Sequence, residues 1–268
     1  MAVETRVATG RLVLIQGKLA LIPALALESL VFLSFFLLYF IGRGLGGDDV
    51  GLATANAERI IDSERALGMF WEPGMQRAIL DNKSLLDVAN FTYRFLHLPV
   101  VGVMGVLFFL TDLRKYRVLR NALLLSCIIG IPFYHLFPVT PPRLLADHGV
   151  DLGFVDTIGQ LAQVKPGAMA NRYAAVPSYH FGWIMLVAIG AAWCWRSRVL
   201  PVLALGFTIL MSWAIIVTAN HYILDMVAGG IAVGAALLVT YRFERWADAH
   251  PEAVSRFTFT VSGHRLPF

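Results

Sequence analysis

The sequence predicts an all-α, polytopic membrane bundle of six transmembrane helices. Two observations carry that class. Hydrophobic residues make up 57% of the chain and charged residues 15%, with a mean hydropathy of +0.67. Soluble domains lie nearer half apolar and a quarter charged. The apolar residues also gather into runs that approach the roughly 20 residues needed to cross a bilayer.

The first run covers roughly 19–41. It is long for the apolar part of a secretory signal, and Pro23 and Glu28 lie within it without a convincing cleavage site, so it reads as a retained span. The second covers roughly 85–110, interrupted by Arg94 and His97, and the third roughly 119–137. The fourth, fifth and sixth cover roughly 177–195, 199–218 and 221–241. Residues 242–268 form a short tail, and the whole chain reads as one membrane domain.

Segment 42–84 interleaves Ile60, Ile61, Phe70, Trp71 and Ile79 with charges. Two readings stay open: amphipathic helices at the membrane interface with Trp71 as anchor, or a small helix packed over the bundle. Either is compatible with a lid. Tyr134 and Tyr173 read as aromatic-belt residues. The small-residue stretch 229–236 reads as a close helix contact, not a phosphate loop.

Charge orients the bundle. Arg6, Arg11 and Lys18, the group Arg114, Lys115, Arg117 and Arg120, and the turn with Arg196 and Arg198 alternate along the chain with the less basic segments 42–84 and 138–176. The positive-inside rule then places both termini in the cytoplasm of a plasma (inner) membrane protein. This use of basic residues, in short loops between spans, argues against nucleic acid as a partner. Cys127 and Cys194 fall inside spans, which excludes a disulfide framework.

Three strings at span edges carry the chemistry, and the charge bias places all three on the extracytoplasmic face. They are Pro141-Pro142-Arg143, Pro177-Ser178-Tyr179-His180 and His221 to Asp225. Ionisable groups at such positions are costly and point to function. His221 and Asp225, four apart, share one face of a helix. The carboxylate can then hold Nδ1–H and leave Nε2 free as a nucleophile. His180 falls in the first turn of the fourth span, where free N–H groups and the helix dipole suit a phosphate. The prolines hold Arg143 out of the third helix, and its planar fork matches phosphate oxygens. Arg172 and Ser178 are further phosphate-binding candidates. Arg94 and His97 stay unassigned.

The segments FPVTPPRLL, NRYAAVPSYHFGW and ANHYILDMVAG resemble the type-2 phosphatidic acid phosphatase superfamily. They are most similar to its inositol phosphorylceramide synthase-like, inositolphosphotransferase branch. The resemblance implies a six-span bundle and a two-step transfer with neither metal nor cofactor. His221 would attack phosphorus, Asp225 would orient it, and His180 would protonate the leaving oxygen and then activate the acceptor. The superfamily pattern has a Lys where this chain has Leu136, a Gly at Tyr179, and Ser-Arg at Ala214 and Ile215. Arg172 and Lys165 are the replacements expected for the missing cations.

The expected partners are a membrane lipid carrying the phosphate and an alcohol or water acceptor. Transfer is the first reading, and hydrolysis of a lipid phosphate or prenyl diphosphate the alternative. Two other classes remain. A metal or haem protein could use His135, His180 and His221, although the arginines would oppose a cation. A transporter or scaffold could keep the bundle without chemistry. The sequence leaves the lipid and the oligomeric state open.

Overall fold

A computed structural model describes residues 18–45, 49–158, 171–252, 259–261 and 264–266, with the backbone alone at 18–23, 259–261 and 264–266. Arg6, Arg11, Lys165 and the side chain of Lys18 lie outside the described residues. Nine helices are described: α1 (Lys18–Gly44), α2 (Val50–Ala66), α3 (Glu72–Arg77), α4 (Lys83–Phe91), α5 (His97–Thr111), α6 (Leu113–Leu136), α7 (Tyr179–Cys194), α8 (Val199–Val217) and α9 (Ile223–Ala249). A π-helical turn, Thr92–Leu96, joins α4 to α5. Near the C-terminus Phe259–Val261 and His264–Leu266 form a small antiparallel pair.

Five stretches are long and apolar enough to cross a membrane: Ala24–Gly44, Lys83–Thr111, Leu113–Leu136, Val199–Val217 and Ile223–Ala249. The chain is therefore a multi-pass helical membrane protein. The fourth expected span is α7, apolar but 16 residues long. That is about 24 Å of helix against roughly 30 Å of hydrocarbon.

Helix ends follow local chemistry. Asp112 leaves helical geometry, ends α5, and accepts from the Arg114 and Lys115 N–H groups at the start of α6, both at 3.1 Å. The basic run that follows pairs with the far end of α9: Arg114 with Asp248, and Arg117 with Glu244 at 3.8 Å.

Within the bundle α6 packs along α9, while α7 packs on α8 and α9. Gly229 sets the α7–α9 distance, since a Cβ there would lie 2.1 Å from the Ser178 carbonyl oxygen. Gly182 faces the same contact, where a Cβ would meet Val233 Cγ2 at 2.8 Å. The close contact expected of stretch 229–236 is thus made by Gly229, whereas Gly234 faces open space.

Residues 50–77 form two helices, α2 and α3, set over the motif end. α2 buries Ala53, Asn56, Ala57, Ile60, Ile61 and Glu64, while Trp71 stays exposed. Ile60 and Ile61 join Val139, Leu145, Phe154 and Tyr222 in a second apolar core over the motif end. Polar bonds fix the loops beneath. Thr140 N–H donates to Ala53 O at 3.1 Å and Asn56 Nδ2 to Pro138 O at 2.9 Å. Gln76 both donates to and accepts from the Val155 backbone, at 2.8 and 3.0 Å. Tyr134 and Tyr173 are buried rather than in a belt, because their hydroxyls find partners inside, at Tyr39 Oη (3.1 Å) and His148 Nε2 (3.4 Å).

Candidate functional site

The turn from α8 to α9 carries the first histidine. Ala219 adopts φ 53°, the left-handed region that residues with a Cβ seldom enter. Its carbonyl accepts the Arg143 N–H at 2.9 Å, so the turn and the Pro-Pro-Arg loop are tied together. α9 begins at Ile223, so His221 precedes the helix instead of sharing a helical face with Asp225. Asp225 reaches back over the first turn, as a capping-box acid does. Its Oδ2 lies 3.2 Å from His221 Nδ1 and accepts the Tyr222 N–H at 3.0 Å. This bond directs Nε2 of His221 away from Asp225.

Two residues that sequence reasoning passed over complete the end of α9. Glu72 accepts the Ile223 N–H at 2.9 Å, and Glu64 accepts the Leu224 N–H at 2.8 Å. Both carboxyls are fully buried side by side, and among the described residues Oε2 of each has no hydrogen-bond partner. Burial and the neighbouring negative groups, Glu72 and Asp225, push the Glu64 carboxyl far above its ordinary range, against the opposing pull of the Leu224 N–H. Together they cap the helix that holds Asp225. No sequence signal sets them apart from the other acids of the segment, among them Asp49, Glu58, Asp62 and Asp81.

His180 lies in the first turn of α7, as expected. Its ring is held between Tyr93 and His97, with centroid separations of 4.7 and 4.6 Å. The π-turn runs between these two residues, and His97 stacks on Trp183 and bonds the Tyr179 carbonyl at 3.1 Å. The His180 and His221 centroids are 5.6 Å apart. His97, unassigned from sequence, is thus a buried support of His180. Tyr179, at the expected glycine position, lodges its ring against Gly130 and bonds Ser126 O.

Both histidines line a cavity of about 410 Å³. Arg143 enters it with Nε bonded to Asn220 Oδ1 at 2.8 Å and Nη1 to Asp156 Oδ2 at 3.2 Å. Arg172 lines it from an exposed position. Arg43 and Arg94 line it as well. Arg43, at the end of α1, has a buried Nε with no hydrogen-bond partner and sits over the Tyr134 ring at 5.6 Å. These two arginines supply positive charge where the expected motif cations are missing. Ser178 is not among the lining residues. Its N–H donates to Asp225 O at 3.0 Å, and its hydroxyl is buried without a partner. It joins α7 to α9 beside the cavity.

These features define a class: a multi-pass helical membrane protein whose spans converge on a cavity of histidines and arginines. A family model described as the PAP2 superfamily matches residues 58–239, more than half of the chain. The chain belongs to that superfamily, whose members are phosphatases and phosphotransferases acting on lipid substrates. The match takes in all three motifs with Glu64 and Glu72, and leaves out α1 with Arg43. No curated protein and no solved structure matches the chain.

Proposed function

We propose that this chain is a lipid phosphotransferase working through a phosphohistidine on His221. The observation that carries the reading is the His221–Asp225 bond facing His180 across an arginine-lined cavity. The Nε2 lone pair attacks phosphorus, a P–N bond forms, and the P–O bond to the leaving group breaks. Protonated His180 gives its proton to that oxygen. In the second step neutral His180 takes the acceptor hydroxyl's proton, the new O–P bond forms, and the P–N electron pair returns to His221. Arg143, Arg172, Arg43 and Arg94 neutralise the phosphoryl oxygens.

The transferase reading rests on the likeness to the inositolphosphotransferase branch, with an alcohol as acceptor. Hydrolysis is the second reading, and the exposure of Arg94 and Arg172 at the cavity favours water access. We further propose six spans with α7 as the fourth, both termini cytoplasmic and the cavity on the extracytoplasmic face of the plasma membrane. The basic 114–120 cluster at the end opposite the cavity supports that orientation.

His221→Ala is expected to remove a radiolabelled phosphoenzyme and lower turnover on the order of 10³-fold or more. His180→Ala should cost roughly 10²–10⁴-fold. Retention of half the activity by His221→Ala would overturn the mechanism. Product partitioning from one lipid donor, with inositol, glycerol or a lipid alcohol present, separates the two readings. A new phosphodiester marks the transferase, and free phosphate at every acceptor concentration marks the phosphatase.

A further inference from the structure

A second cavity, of about 390 Å³, lies between α1, α5, α6 and α7. Phe32, Leu33, Gly105, Phe109, Leu123 and Leu186 are among its walls. Three of the four helices belong to stretches long and apolar enough to span a membrane, so the cavity sits at hydrocarbon depth. α1 leans on α6, and α5 on α6 and α7, so α1 and α5 flank it without packing closely on each other. On α5, a Cβ added at Gly102 or Gly105 would meet open space.

Two features give this cavity a direction. Trp183 lines both it and the histidine cavity, so the two share a wall. At the other end Glu28 and Arg120 face the cavity as an ion pair with Nη1–O distances of 2.7 and 2.8 Å. Tyr116 donates to the same carboxylate at 3.0 Å, and Arg120 Nε donates to Asn121 Oδ1 at 3.1 Å. A charged group inside the hydrocarbon layer is costly unless paired. Here the groups largely satisfy one another and offer little to an incoming ligand. They form a polar floor beneath apolar walls. From Arg43 to Glu28 is 15 residues along α1, roughly 22 Å at 1.5 Å per residue.

We infer that the groove between α1 and α5 holds one hydrocarbon chain of the lipid whose phosphate enters the histidine cavity, and that Glu28–Arg120 sets its depth. The inference rests on the proposed function for the identity of the headgroup. The shared Trp183 wall and the apolar lining argue for a chain of the bound substrate. A polar acceptor would gain nothing there, since burial of methylene groups is what such walls reward. Of its walls, α5, α6 and α7 lie within the residues matched by the family model, and α1 lies outside them.

The test uses the full-length protein in lipid nanodiscs. Phosphatidic acid with a photoreactive group near the end of one long chain is crosslinked and the labelled peptides are mapped. Turnover of long-chain and short-chain phosphatidic acid is measured in parallel. Labels should concentrate on α1 and α5 around Phe32 and Gly105. A Cβ at Gly105 meets nothing within 4 Å, so Gly105→Leu projects into the groove and labelling there should fall about tenfold, as the loss of a few buried methylenes implies. Long-chain turnover should fall with it while short-chain turnover holds, and Gly102→Leu should act likewise. Labels outside the groove, or unchanged labelling and chain preference in both variants, would overturn the inference. Equal labelling by a phosphatidylcholine probe would reduce the groove to a general lipid site and also overturn it. Groove labelling with no turnover of either lipid would instead count against the proposed function and leave the groove standing.

Discussion

In the bundle, α7 meets α9 through Gly182, Gly229 and aliphatic side chains. In the cap, α2 and α3 meet the motif loops through Glu64, Glu72, Asn56 and Gln76. The first contact depends on shape, and the second on hydrogen bonds that must all be made at once. Buried polar groups left unmet are expensive, so the cap is specified by single residues where the bundle is specified by a pattern. Both act on the same pair of histidines. The bundle sets how close His180 and His221 come, and the cap sets where the start of α9 lies.

The largest effect should come from the bundle side. Gly229→Ala puts a methyl 2.1 Å from the Ser178 oxygen, so α7 and α9 must part. A misplacement of about 1 Å can cost 10²-fold in rate, and turnover should fall at least that far. Gly234→Ala, in the same run but facing open space, should keep wild-type turnover. If both variants behaved alike, the glycine contact would not be what spaces the histidines.

On the cap side, Glu64→Ala strands the Leu224 N–H and should cost about 1–3 kcal/mol in unfolding free energy. Glu64→Gln can keep that bond and should recover most of it. Because the fold raises the carboxyl from an ordinary 4.5 toward about 9, its share of stability is complete below the lower value. That share is lost as pH rises toward the upper value, since the folded state holds the proton longer. Thermal unfolding of the wild type should therefore weaken over that window, and Glu64→Gln should flatten the slope.

A smaller effect is expected at the arginine clamp. Asn220→Ala removes the acceptor for Arg143 Nε at 2.8 Å and should raise KM more than it lowers kcat, by about tenfold or less. The smallest should be Ile215→Val in the buried core, about 0.5–1.5 kcal/mol in stability with KM unchanged. A KM change there would show that bundle packing reaches the site as directly as the cap does.

The sequence revealed these two regions unequally. Hydropathy located the apolar helices to within a few residues at most ends, because crossing a bilayer demands long apolar runs whatever the detail. α9 ran further than its apolar stretch, since Glu244 and Asp248 continue it in contact with the basic run on α6. His180, His221, Asp225, Arg143 and Arg172 were legible because they sit in short strings at span edges. Arg43, Glu64 and Glu72 were not, because each lies outside the motif strings and gains meaning from a partner far along the chain. Tyr134 resembled a belt residue for the same reason: its partner Tyr39 lies on another span.

The two carboxyls that cap α9 are separated in sequence from the amides they bind by 151 and 160 residues. A chain made from its N-terminus has finished Glu64 and Glu72 long before Ile223 exists. Until α9 is made, both acids have no amide to receive and His221 has no Asp225 to bond. The histidine cavity thus gains its His221–Asp225 bond only once α9 has been made. A chain stalled before α9 holds α1 to α8 with Arg143 and His180, but lacks Asp225 and the two amides that Glu64 and Glu72 receive.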